Sequence, residues 1–225
     1  MNLVLRQAWL MARKDLTIEA RSRVTLNQVA PLGLLVLIVF AFAFDADQNL
    51  LSRGGPGLFW IGVLFAGVIV IQRAFSVEDA DGITDALRLS GLRPAAIHLG
   101  KTLAVLLELL VLEIGLFIGV IVFFDARVDD WALLIVAALV VTLGFAAAGS
   151  LYGTLSLGLR LRETLLPLLF VPVAAPMLLA GSRAFERAFG VNDQAGWSWV
   201  GLAALMSVVH LALGTIAVAP LLEDG

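Results

Sequence analysis

The sequence predicts an all-α membrane protein: six transmembrane helices behind an amphipathic N-terminal helix, in one transmembrane domain over residues 1–225. Three observations carry this. Of the 225 residues 60% are hydrophobic and 15% charged, with mean hydropathy +0.99, whereas a soluble domain carries about 25% charge. The apolar residues gather into six runs near the length that a helix needs to cross about 30 Å of hydrocarbon. Basic residues then fall unevenly on the two sides that those runs define.

The elements follow in order. Leu3–Arg23 has Leu5, Ala8, Trp9, Ala12, Leu16 and Ala20 on one face and Arg6, Arg13, Thr17 and Arg21 on another. An apolar stripe beside a basic one suits the boundary between acyl chains and headgroups, so residues 1–27 are expected to form a cytoplasmic interfacial helix. A helix packed on a partner protein is the alternative. Its arginines and Lys14 precede any long apolar run, unlike a signal peptide. The spans are expected at Val29–Phe44, Leu58–Phe75, Leu99–Phe124, Trp131–Leu159, Leu165–Ala180 and Trp199–Leu222. The first and fifth are short; the third and fourth are long enough to tilt.

Eleven of the fifteen lysines and arginines lie on one side, and Arg53, Arg127, Arg183 and Arg187 on the other. The more basic side is read as cytoplasmic, which puts both termini there. The fifth span carries Pro167, Pro172 and Pro176, each removing a backbone donor, so it is expected to be kinked or broken. Residues 181–198 are too polar to cross. With Phe185, Phe189, Trp197 and Trp199 they read as an interfacial segment on the outer face. Gly115 and Gly119, like Gly149 and Gly153, are small-xxx-small pairs that permit close helix contact.

The chain has no cysteine, hence no disulfide or thiolate metal site, and its net charge of −3 gives no reason to expect nucleic acid. It lacks phosphate-loop, zinc-protease and nucleophile-elbow motifs, so neither an enzyme nor a bound cofactor is expected. His210, inside the sixth span, is either a haem or metal ligand or a histidine hydrogen-bonded within the bundle; His98 falls in a cytoplasmic connection. Glu108 and Glu113 stand inside the third span, where charge is costly. At 100° per residue they diverge by about 140° and so form no obvious pair. They read as a proton or ion path, as a bond to a neighbouring helix, or as protonated carboxyls.

Residues 76–94 are the charged exception between two apolar runs. Glu78, Asp79, Asp81 and Asp85 precede Arg88, the order favoured by the helix dipole. Ser76 with Asp79 resembles a capping box, with Asp81 or Thr84 as other caps. Ile83 and Leu87 make an apolar ridge, and Gly91 and Pro94 end it. The product is a short cytoplasmic helix suited to a socket on another protein, or else a solvated loop.

Two stretches, "GPGLFWIGVLFAGVIVIQRAFSVEDADGITDALRLS" (55–90) and "GTLSLGLRLRETLLPLLFVPVAAPMLLA" (153–180), resemble the CcmB family, the membrane subunit of the haem exporter of cytochrome c maturation. Pro56, Gly57, Trp60, Arg73, Phe75, Asp81, Gly82 and Leu87 carry the first likeness, and Arg160, Leu165, Leu166, Pro167, Pro172 and Pro176 the second. Arg88 and Gly91 depart from the pattern after Asp81-Gly82, as do Glu108 and Glu113 in the third span. The resemblance implies an ABC-2 type permease in the bacterial inner membrane. Two copies would pair with two CcmA-like ATPase subunits, which bind ATP and Mg, beside CcmC-, CcmD- and CcmE-like haem-handling proteins. It makes Glu78, Asp79, Asp81, Gly82, Ile83, Asp85, Leu87 and Arg88 the ATPase-coupling helix, with Arg160, Arg162 and Glu163 nearby. Haem is the implied cargo, or else ATP hydrolysis releases a haem-loaded chaperone. An ABC-2 permease for a lipid, glycan or drug, and an ion-coupled carrier using Glu108 and Glu113, are the alternatives.

Overall fold

The computed structural model describes residues 3–23, 25–44, 47–80, 91–156, 162–193 and 195–223, and among these the regular structure is helical throughout. Seven α-helices follow in order: α1 (Leu3–Ser22), α2 (Ala30–Ala43), α3 (Gln48–Ala80), α4 (Pro94–Phe124), α5 (Trp131–Leu155), α6 (Arg162–Ala188) and α7 (Gly196–Glu223), with a π-helical turn, Thr25–Val29, leading into α2. Helices α3 to α7 are each long and apolar enough to cross a membrane. Helix α2 spans roughly 21 Å alone, short of the hydrocarbon thickness. Counting it with α1 as one span bent by 55° gives a sixth.

Many large apolar side chains face outward, among them Phe42, Phe65, Ile114, Val122, Leu168 and Ile216. In water such a surface would aggregate; in lipid it costs nothing. The protein is therefore a multi-pass membrane bundle. Helix α4 is its hub and packs against α1, α2, α3, α5 and α7. Small residues set the closest contacts. Gly149 and Gly153 of α5 leave the room that Ile71 and Phe75 of α3 fill, so this pair is a seam inside the chain. Gly119 admits Leu34 and Leu37, while Gly115 has open space beside it.

Several boundaries differ from expectation. Helix α6 is not broken: it runs from Arg162 to Ala188 through Pro167, Pro172 and Pro176. A buried stripe, Leu166, Phe170, Ala174, Met177 and Ala180, holds it to the bundle across all three prolines, and Pro172 and Pro176 lie on the exposed face. Neighbouring helices stabilise a proline-containing span in this way.

Residues 181–188 continue α6, so 181–198 is not one separate interfacial segment. The helix stops at Gly190, whose φ is +67°. Gly190 N donates to Arg187 O and Val191 N to Glu186 O, which is a Schellman turn. Phe185 is consequently core, 4.9 Å from the Phe59 ring, and Phe189 stacks on Phe117. Trp131 and Trp197 remain exposed at that end of the bundle, as rings at a membrane interface do. Helix α3 extends past Phe75 to Ala80, and α4 opens at Pro94, where proline's missing N–H is no loss. His98 therefore lies within α4, buried against Gly214, and not in a connection.

Candidate functional site

At the end of the bundle that holds most of the basic residues, α1 packs on α4 and reaches α3 through side-chain bonds. Its inward face is Ala8, Met11, Ala12 and Asp15, spaced at i, i+3, i+4 and i+7 as one helical face requires. This face is rotated from the expected stripe, for Leu5 and Trp9 stay exposed. Close approach depends on Gly100 of α4: a Cβ there would stand 2.7 Å from the Ala8 carbonyl oxygen.

Charges then fasten α1 to each stem. Lys101 of α4, only 1% exposed, places Nζ 3.0 Å from Asp15 Oδ2 and donates to the Ala74 carbonyl of α3 at 2.7 Å. The same ammonium lies 5.1 Å from the centre of the Phe75 ring, within cation–π range. Arg73 of α3 lies 3.3 Å from Glu19 Oε2 through Nε and donates to Ser22 Oγ at 2.7 Å. Glu19 Oε1 accepts from Thr25 N, which fixes the turn after α1. Arg93 N, at the mouth of α4, donates to Gln7 Oε1. A buried ammonium is stable only when paired and further hydrogen-bonded, and Lys101 meets both conditions.

A small cavity of about 30 Å³ sits among these groups, lined by Asp15, Glu19, Arg73, Lys101 and Glu108, with room for about one water. The last turns of α3 and the first turns of α4 are thereby joined through α1.

The predicted residues separate into groups. Glu78 and Asp79 fall in the last turn of α3, and Arg162 and Glu163 in the first turn of α6; their side chains lie outside the described residues, as do Asp81, Gly82, Ile83, Asp85, Leu87, Arg88 and Arg160 entirely. Ser76 does not cap a new helix: it sits within α3 and donates to the Arg73 carbonyl. Glu108 opens into the junction cavity, whereas Glu113 is buried elsewhere and accepts from Thr142 Oγ1 of α5. The two carboxyls do not share a site. His210 Nδ1 bonds the Met206 carbonyl of its own helix at 2.7 Å. Among the described residues no three His, Asp or Glu side chains gather as a metal site.

Asp15, Glu19 and Lys101 were not singled out from the sequence as junction residues. The available signal was an acid on the small-residue face of α1 and a lysine just inside an apolar run.

Such a helical bundle, with apolar side chains turned outward and a charged clamp at one end, is that of a multi-pass membrane protein. The chain belongs to the CcmB protein family, which matches residues 6–224. It is similar to heme exporter protein B of Haemophilus influenzae, 28% identical over 94% of this chain and 95% of that one. Its likeness to heme exporter protein B of Paracoccus denitrificans is 26% over 92% of each chain. The same protein of Bradyrhizobium diazoefficiens is 29% identical over 85% of this chain and 86% of that one.

Proposed function

We propose that this chain is the permease subunit of an ATP-driven haem exporter of the ABC-2 type, acting in cytochrome c biogenesis. The family match and the near full-length likeness to proteins named heme exporter protein B support the cargo class. The observation that carries the mechanism is the clamp: Asp15, Glu19, Lys101 and Arg73 bind α1 across both stems of residues 81–90. A partner seated on that segment would push α3 and α4 together. The sequence holds no phosphate loop, so ATP and Mg belong to a separate CcmA-like subunit, two of each making the complex, with CcmC-, CcmD- and CcmE-like proteins handling haem.

In this reading the clamped end faces the bacterial cytoplasm, both termini lie there, α1 rests along the inner membrane surface, and Asp81 to Arg88, following Glu78 and Asp79 at the end of α3, act as the coupling segment beside Arg160, Arg162 and Glu163. The cycle either drives haem outward or releases a haem-loaded chaperone. Glu108 and Glu113 open to different cavities, which weighs against an ion-coupled carrier running through both.

The test is purification in mild detergent with mass spectrometry of the partners. An ATPase and haem-handling proteins are expected in the complex, and Ile83→Asp or Leu87→Asp is expected to assemble into membranes yet lose ATPase stimulation. A chain that purifies without an ATPase, or variants that stimulate it normally, would reject the assignment.

A further inference from the structure

Away from the clamp a second cavity opens between α3, α4, α5 and α6. It measures about 250 Å³ and is lined by Phe59, Phe117, Trp131, Leu134, Ile135 and their apolar neighbours, with Glu113 as the only charged residue. Ile114, Trp131, Ile135 and Leu139 on its walls are more than two-fifths exposed, so its mouth faces the lipid side of the bundle. Glu113 lies at its base, 4% exposed. Oε1 accepts from Thr142 Oγ1, and Oε2 has no hydrogen-bond partner among the described residues.

An unmatched carboxyl oxygen in a dry apolar recess is unfavourable to leave so, and nothing in the clamp uses it. We propose that this recess is a binding site for an apolar molecule bearing one hydroxyl or amine, which enters from the lipid phase and bonds Glu113 Oε2. Ligand sites commonly combine an apolar wall with one or two fixed polar groups. Either form of the carboxyl can serve: ionised it accepts from the ligand, protonated it donates to it. The burial of Glu113 among the lining residues favours an inserted small molecule over a flat transmembrane helix, which would cover the mouth without reaching the carboxyl. The site does not depend on the haem-exporter reading and could fail or hold separately from it.

The probe is 12-bromododecanol, compared with 1-bromododecane, added to the full chain in lipid nanodiscs. Quenching of Trp131, defined as the portion lost in Trp131→Phe, reports occupancy. The alcohol is expected to bind wild type at least about tenfold more tightly than the bromoalkane, one hydrogen bond to a buried polar group. Glu113→Leu is expected to abolish that preference, whereas Glu113→Gln, which keeps donor and acceptor, is expected to retain most of it. Displacement of a co-purified lipid by the alcohol would name a resident lipid as the source; an initially empty site that fills would point to a transported molecule. Equal binding of the two probes to wild type overturns the proposal without reference to any variant, and unchanged preference in a folded Glu113→Leu chain does the same. So does an Ile135→Cys variant that cross-links to a partner helix in the native membrane and blocks both probes.

Discussion

The two ends of the bundle are fastened by different physics. At the clamped end α1, α3 and α4 are joined by ion pairs and side-chain hydrogen bonds, with Lys101 serving Asp15, Ala74 and the Phe75 ring at once. At the opposite end the helices meet through rings and backbone. Trp60 lies 5.2 Å from Phe59 and 5.1 Å from Phe185, and the α4–α5 connection is tied to α6 where Asp129 N and Asp130 N donate to the Ala188 carbonyl. Asp130 Oδ1 also caps α5 by accepting from Leu133 N. Close-packed rings have no alternative partner and resist small displacement. Charged pairs can exchange partners with water or with each other. Under the proposed function, this difference would make the aromatic end the pivot and the clamped end the part that moves.

The largest expected effect comes from breaking the buried pair. Lys101→Met leaves the buried Asp15 with only the more exposed Lys14, 3.2 Å away, and removing one partner of a buried pair costs up to about 3–5 kcal/mol. Thermal unfolding in detergent should show it, and Asp15→Leu added to Lys101→Met should recover most of the loss, since a well-packed apolar replacement of both partners is often neutral. A double variant as unstable as the single would mean that the bond to Ala74, not the ion pair, holds α1.

Next in size is Trp60→Ala. A ring of this size removed from a soluble core costs about 3–5 kcal/mol. Here the displaced surface meets lipid and not water, so only the packing part is lost and the fall should be smaller than for Lys101→Met. The same unfolding assay ranks the two. Were Trp60→Ala the more damaging, the ring packing and not the buried ion pair would be the stronger of the two fastenings.

The sequence made the spans legible because each is a long apolar run, and hydropathy needs no tertiary information. In α6 the three prolines read as a kink or a break, while the burial of Leu166, Phe170, Ala174 and Met177 that carries one continuous helix through them depends on three neighbours. The sequence also placed Phe185 at a surface. The signal that would have corrected this was Gly190, a C-terminal glycine two residues past the last helical one. Asp15 and Lys101 were visible as residues but not as a pair: they meet only because α1 folds back across α4, and the glycine that permits the approach, Gly100, is one of many in the chain.

The smallest stability effect and the sharpest test of the comparison is Arg73→Gln. Arg73 and Glu19 are 28% and 14% exposed, so their pair is partly wet and its loss should cost less than about 1 kcal/mol. Yet Arg73 is the tie between α1 and the stem of α3, just before the segment on which the ATPase is proposed to act. If the clamp transmits movement, Arg73→Gln should leave the unfolding temperature nearly unchanged while ATPase stimulation in the reconstituted complex falls about fivefold, the factor that corresponds to roughly 1 kcal/mol. High salt should imitate the substitution in part, because a partly exposed pair is screened more than a buried one, and should spare the buried Lys101–Asp15 pair. Stimulation that survives both Arg73→Gln and high salt would make the clamp a fastening like the aromatic end, and the asymmetry between the two ends would then carry no mechanical meaning.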